Sequence, residues 1–253
     1  MDDVSLLALA TELARRAGAE ILAVRARGFD VQRKADNSVV TEADRAAEAI
    51  ILRGLREALP GCTIVAEEEM ACGKVPEAGP EFWLVDPLDG TREFSTGGND
   101  FTVNIGLVRN HRAALGVVGV PATGEIFGGS SGSGAWRISR DGRRAPITVR
   151  QTPAEGATVV ASRHHGDQAR LDAFVAGHKV ARVVNYGSSL KFCRVAEGQA
   201  DIYPRFGRTM EWDTCAPHAV LEAAGGAVET LDGQPLLYGK VGWDNPWFVC
   251  RGG

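Results

Sequence analysis

The stretch "WLVDPLDGTREF" (residues 83–94) runs from apolar, strand-like residues into two aspartates, Asp86 and Asp89, with Pro87 between them and Gly90-Thr91 just after. A strand ending at Val85 releases Asp86 at its carboxyl edge, and Pro87 stiffens the turn that carries Asp89. Two carboxylates held close repel one another, and burial raises their pKa values, unless a cation neutralises them. Hard divalent ions such as Mg²⁺ are held by a few carboxylates together with the oxygens of a phosphate substrate. Gly90 lets the backbone approach a ligand, and the N–H groups after it can point at an anion. An Asx-turn, in which the aspartates only bond nearby backbone, is the alternative for this stretch taken alone.

Three other segments bring acids to the edge of a regular element. Glu67, Glu68 and Glu69 follow the strand-like TIVA at 63–66, where a solvated acidic face is the plain alternative. Asp213 in "EWDTCAPHAV" is expected as N-cap of a helix over 214–224. Asp44 completes a T-x-x-D capping pattern begun by Thr41, ahead of a helix running to Ala58. Each of these has a plain structural explanation, but their convergence builds an acidic pocket. Such a pocket repels phosphate when empty and becomes a phosphate receptor once it holds Mg²⁺.

Around these segments, residues 4–25 carry helical periodicity, with Leu6, Leu7, Leu9, Leu13, Ile21 and Leu22 marking a core face and Gly28 ending the helix. A polar loop, QRKADNS, follows. Strand-like runs at 82–85, 102–108 and 114–120 suggest an antiparallel α+β half. The Gly/Ser-rich "FGGSSGSGAW" (127–136) lacks the Lys-Ser/Thr of a phosphate-binding P-loop and reads as a hairpin loop. Beyond Pro153 strands at 158–162, 180–184 and 202–204 alternate with helices near 167–175, 189–197 and 214–224, an α/β pattern.

The 253 residues are 44% hydrophobic and 24% charged, an ordinary globular balance. A net charge of −4 gives no basic field for a nucleic-acid polymer, and no apolar run is long enough to span a bilayer. The first residues are acidic before they are apolar, unlike a secretory signal. Five cysteines without a CxxC pair suggest free thiols in a reducing cytoplasm, and none is placed as a nucleophile.

"WLVDPLDGTREF", the preceding "VAEEE" and the downstream "EWDTCAPHA" resemble the signatures of the inositol monophosphatase superfamily of Mg²⁺-dependent, lithium-sensitive phosphatases. "KADNSVVTEAD", "YGSSLKFCRVAEGQADIYPRFG" and "FTVNIGLV" resemble its 3'(2'),5'-bisphosphate nucleotidase branch. The resemblance covers nearly the whole chain. It implies a mixed α/β and α+β fold, a layered α-β-α-β-α sandwich of two joined halves, 1–150 and 151–253. It implies a cytoplasmic hydrolase of sulfate assimilation that removes the 3'-phosphate of 3'-phosphoadenosine 5'-phosphate to give AMP. Membrane-peripheral association and a homodimer are left open, and an inositol-1-monophosphatase or broad sugar phosphatase is the alternative activity.

Residue by residue, the resemblance implies that Glu67, Asp86 and the carbonyl of Leu88 bind a first Mg²⁺, and that Asp86, Asp89 and Asp213 bind a second. Asp44, with Glu67, would lie near a weaker third ion. Gly90 and Thr91 would cradle the scissile phosphate, and Ser188 and Asp213 would contact the substrate. Attack by metal-activated water would pass its proton to Glu67, or to Thr91 oriented by Asp44. Inositol phosphatases carry an acid near the position of Arg205, so Arg205 and Lys191 would select a substrate bearing a second phosphate. Arg194, Arg208, His164 and His165 are further candidates, and His218 reads as a packed or capping residue. Cys215-Ala216-Pro217 replaces the family's small residues after W-D-x. With Asp213 as N-cap this puts Pro217 at the fourth helical position.

Overall fold

A computed structural model describes residues 1–33, 39–162 and 167–253. The chain opens with α1 (Asp3–Arg27), whose N-cap Asp2 accepts from the Ser5 N–H and which Gly28 ends in the left-handed region at φ 82°. Leu6, Leu7, Leu13 and Ile21 are buried as the periodicity predicts, whereas Leu22 is 38% exposed, rotated off the core stripe. A short hairpin, β1 (Val31–Arg33) and β2 (Val39–Thr41), leads to α2 (Glu42–Ala58). The QRKADNS loop falls largely outside the described residues. Thr41 and Asp44 form the reciprocal capping box that T-x-x-D suggests.

The next strands form one seven-stranded sheet in the order β3-β4-β5-β6-β7-β8-β9. They are β3 (Ile64–Ala66), β4 (Glu81–Asp89), β5 (Thr102–Arg109), β6 (Arg112–Val120), β7 (Glu125–Ser130), β8 (Gly134–Ile138) and β9 (Arg144–Ile147). Two short helices interrupt them, α3 (Glu67–Ala71) after β3 and α4 (Thr91–Ser95) after β4. "FGGSSGSGAW" is a hairpin in which most residues belong to the strands β7 and β8, leaving only 131–133 as turn. A second sheet, in the order β11-β10-β12-β14-β13, contains β10 (Ala157–Ser162), β11 (Val180–Tyr186), β12 (Ile202–Arg205), β13 (Ala227–Thr230) and β14 (Phe248–Arg251). Helices α5 (Gln168–Ala176), α6 (Leu190–Ala196) and α7 (Glu211–Ala223) complete the fold.

The layers follow from strand alternation. Trp83 and Val85 of β4 join Leu13 and Ile51 of α1 and α2 in one apolar cluster. Phe82 and Leu84, on the opposite face, pack with Phe192 of α6, with Cys215 and Val220 of α7, and with Val160 and Phe248 of the second sheet. The far face of that sheet is covered by Leu171 and Phe174 of α5. The sequence of layers is therefore α1/α2, first sheet, α6/α7, second sheet, α5.

Two glycines set how closely α7 lies on the first sheet. A Cβ on Gly106 would stand 2.7 Å from the Ala216 nitrogen, and one on Gly116 would stand 2.2 Å from the Ala216 carbonyl oxygen. Only bare backbone fits at that approach. The helix itself starts at Glu211, not at 214, because Met210 is the residue with extended backbone. Asp213 is thus the third helical residue rather than the N-cap, and Pro217 sits in the second turn rather than at the fourth position. The helix continues through Pro217 to Ala223, forgoing the one backbone bond that proline cannot donate. Among the described residues no helix is long and apolar enough to cross a membrane.

Candidate active site

The two aspartates of the opening stretch share a face because β4 is irregular. In a regular strand, residues three apart point to opposite faces. Here Asp86 pairs with Asn104 and Asp89 with Thr102, so three residues of β4 span two of β5. The extra residue is a bulge at Pro87-Leu88, where a proline without an N–H does no harm to the ladder. The strand therefore runs on to Asp89 instead of ending at Val85. Leu88 turns into the α1/α2 cluster, and both aspartates are left lining one cleft.

That cleft, of about 690 Å³, is lined by Glu67, Asp86, Leu88, Asp89, Gly90, Thr91, Ser188, Lys191, Arg205 and Asp213. All of the predicted metal and substrate residues thus border one space, drawn from segments up to 146 positions apart in sequence (213 − 67). Glu67 is the first residue of α3, so the acids after TIVA begin a short helix rather than extend the strand. The other two acids of the run have different duties. Glu69 pairs with Arg56 at 2.8 Å and Lys74 at 2.9 Å. Glu68 is buried.

Each cleft aspartate is anchored by one carboxylate oxygen. Asp86 Oδ1 accepts from the Leu88 N–H at 3.0 Å, Asp213 Oδ2 from the Met210 N–H at 2.9 Å, and Asp89 Oδ2 from the Ser189 N–H. Among the described residues nothing donates to Asp86 Oδ2, Asp89 Oδ1 or Asp213 Oδ1. The fold thus fixes three carboxylates and leaves one oxygen of each for something else. Burial pushes all three carboxyls up. Asp89 rises to about 6, with Lys191 opposing the rise, while Asp86 and Asp213 rise well above the usual range as Glu67 and Asp89 add their repulsion. Oxygen-only, mutually repelling donors are what a hard cation prefers. The side chains border the same cleft without closing into a cage. Among the described residues no group of three or more His, Cys, Asp or Glu is assembled to hold an ion as it stands.

Asp44 lies behind the cleft wall rather than on it. It is buried, its Oδ2 accepts from the Thr41 N–H at 2.7 Å and hydroxyl at 2.8 Å, and its Oδ1 lies 3.0 Å from the Thr91 hydroxyl. Capping and orientation of Thr91 are both its duties, and burial raises it to about 6. Gly90, at φ 91°, begins α4; a Cβ there would stand 3.0 Å from the Asp100 carbonyl oxygen and 3.3 Å from Ser188 Cβ. Left-handed geometry and close approach both require glycine at this position.

The basic candidates divide. Lys191 is 3% exposed, so it is no solvated surface residue. Its ammonium donates to the carbonyls of Tyr186 and Ser188 and lies 5.4 Å from the centre of the Tyr203 ring, and burial lowers it to about 8. Arg205 and Arg208 border the cleft, Arg208 paired with Asp244 at 2.6 Å. Arg194 does not border it: this side chain bonds Glu197 and lines a separate cavity. His218 is buried with Nδ1 2.8 Å from the Tyr238 hydroxyl and is not a lining residue. His164 and His165 lie outside the described residues.

Sequence reasoning missed Ser189, whose N–H holds Asp89 and whose hydroxyl donates to Asn104 Oδ1 at 2.8 Å. The bond to Asp89 spans 100 residues, so no local pattern could announce it.

Comparisons with known proteins place nearly the whole chain in a family. Residues 2–245 match the model of the inositol monophosphatase family. Over 229 residues the chain is 44% identical to the 3'(2'),5'-bisphosphate nucleotidase CysQ of Escherichia coli strain K12, covering 90% of this chain and 91% of that one. The CysQ structure from Bacteroides thetaiotaomicron superposes with a TM-score of 0.83 at 34% identity, covering 98% of this chain and 97% of that one. An inositol monophosphatase from Anabaena follows at 0.77 and 29%, covering 98% and 91%. The protein belongs to the inositol monophosphatase family.

Proposed function

We propose that the protein is a Mg²⁺-dependent 3'(2'),5'-bisphosphate nucleotidase, which hydrolyses the 3'-phosphate of 3'-phosphoadenosine 5'-phosphate to give AMP and phosphate. The observation that carries the reading is a trio of oxygens, Asp86 Oδ2, Asp89 Oδ1 and Asp213 Oδ1, to which nothing among the described residues donates, on carboxylates whose other oxygens are fixed by backbone N–H groups. The similarity to bisphosphate nucleotidases over nine-tenths of the chain supports the choice of substrate.

Glu67, Asp86 and the Leu88 carbonyl would hold one Mg²⁺, and Asp86, Asp89 and Asp213 a second, with Asp44 and Glu67 near a weaker third. Bound Mg²⁺ supplies charge neutralisation, an acidified water and stabilisation of the leaving oxygen. The chain's own contribution is positioning. The Thr91 hydroxyl, backed by Asp44 at 3.0 Å, would accept a proton from a water approaching the phosphate and pass its own to Asp44. Gly90 leaves room for the phosphate beside Thr91. Lys191 uses two of its three donors on backbone carbonyls and keeps one for a substrate oxygen, and Arg205 presents a guanidinium for the second phosphate. In this division the 1–150 half supplies most of the acids. The 151–253 half supplies Asp213 and the cations that select substrate.

Phosphate release from 3'-phosphoadenosine 5'-phosphate and from inositol 1-phosphate, each with and without Mg²⁺, tests the proposal. A kcat/KM favouring the bisphosphate, absent without Mg²⁺, is expected. Preference for inositol 1-phosphate would replace it with the rival activity.

A further inference from the structure

A second cavity, of about 440 Å³, opens between β10, β11 and α6 and shares no lining residue with the acidic cleft. Three arginines from three segments border it: Arg150 ahead of β10, Arg182 on β11 and Arg194 on α6. Arg150 is gripped by both oxygens of Asp201 at 2.8 Å, and its Nη2 also reaches Thr158 Oγ1 at 3.2 Å. Arg194 is bonded to Glu197 and lies 3.5 Å from Glu125, which also pair with Arg137. Arg182 differs. Its Nε donates to the same Thr158 Oγ1 at 3.1 Å, and among the described residues no carboxylate pairs with its guanidinium.

Charge and geometry both leave a deficit. Within ion-pairing distance four guanidiniums (Arg137, Arg150, Arg182, Arg194) meet three carboxylates (Glu125, Glu197, Asp201), and Glu155 acts on Arg150, and Asp201 on Arg182, only from beyond that distance. Arg150 and Arg182 also converge on one hydroxyl oxygen, which brings like charges together where only one of them has an acid. β11 is an edge strand, and a solvated arginine there would serve to discourage strand pairing. That role needs no turn of the side chain onto Thr158. We propose that this cavity is an anion site for a tetrahedral phosphate group, either orthophosphate or the head of a phosphomonoester. Arg182 Nη1 and Nη2 with Arg150 Nη1 hold its oxygens, and the space along Val184 and Tyr186 takes any organic part.

The test uses metal-free protein in EDTA, because the acidic cleft without cations repels phosphate while the arginine cavity does not. Orthophosphate, and separately AMP, are titrated against thermal stability and by calorimetry. Saturable binding of at least one is expected in the native chain, weakened about tenfold or more in Arg182→Glu and in Arg182→Gln by loss of charge-assisted bonds. Mg²⁺-dependent phosphatase turnover of both variants stays at the native level, which separates this site from the catalytic one. No saturable binding of either probe, or equal binding in the variants, overturns the proposal.

Discussion

The hydroxyl of Thr91 stands 3.0 Å from Asp44 Oδ1 and, on its other side, 3.0 Å from the Leu88 carbonyl oxygen. One proton serves two acceptors. The carboxylate behind Thr91 is held by two further donors from Thr41, so its position is fixed by the start of α2 rather than by the cleft.

In the proposed mechanism this pairing would let Thr91 accept a proton, directed by a buried acid. Thr91→Val keeps the shape and removes the hydroxyl, and kcat should fall by about 10²-fold or more, the usual worth of general-base assistance. Asp44→Asn should lower kcat similarly and also cost about 1 kcal/mol of stability through the capping box. Steady-state kinetics and thermal unfolding of both variants check this; near-native turnover by Thr91→Val would exclude the pair.

The buried acids make metal-free stability depend on pH. Asp44 and Asp89 sit at about 6 and Glu48 at about 7, each raised mainly by burial. Their unfolded values are near 4, so between pH 5 and 7 the folded chain holds protons that the unfolded chain has released. Stability must then fall as pH rises through that window, by on the order of 2 kcal/mol per group. Mg²⁺ in the cleft would compete with the proton on Asp89, though not with that on Glu48, which accepts from the Glu68 and Glu69 N–H groups, so its stabilising effect should be larger at pH 8 than at pH 5. Melting temperatures across this range, with Mg²⁺ and with EDTA, decide the matter. A metal-free Tm that rises from pH 5 to 7 would contradict it.

Gly116 seats the helix that carries Asp213, packing against Ala216 of α7. Gly116→Ala drives a methyl group into the Ala216 carbonyl, and α7 must lift from the sheet at a cost of roughly 1–3 kcal/mol. Because Asp213 rides on that helix, apparent Mg²⁺ affinity should weaken along with Tm. A variant that loses stability but binds Mg²⁺ as tightly as the native chain would show the two to be independent.

Arg205→Glu reverses the charge that the proposal offers to the second phosphate. It should lower kcat/KM for 3'-phosphoadenosine 5'-phosphate by about tenfold to a hundredfold, the worth of a charge-assisted bond, and spare inositol 1-phosphate. Equal losses on both substrates would remove Arg205 from substrate choice.

Much of this architecture was legible in the sequence, for identifiable reasons. The helices α1 and α2 carry strong periodicity and caps, and Asp86, Asp89 and Asp213 stand in compact motifs. The bulge was not legible: Pro87 read as the end of a strand because proline normally breaks a ladder, and only the pairing with Thr102 and Asn104 shows the strand continuing. The start of α7 is not legible either, because Asp213 is a good N-cap residue, whereas Met210 takes that place and Asp213 closes back on its N–H. Lys191 was ambiguous because its burial depends on Tyr203 and the 186–188 backbone, which only the tertiary fold brings over it.

Calorimetric titration of Mg²⁺ into metal-free protein, in parallel with phosphatase assays, tests the role of the carboxylates most directly. The native chain should bind two Mg²⁺ with activity tracking occupancy, and Asp86→Asn, which removes the ligand common to both, should lose both ions and turnover together. Full activity in EDTA, or unaltered Mg²⁺ binding by Asp86→Asn, would contradict the account.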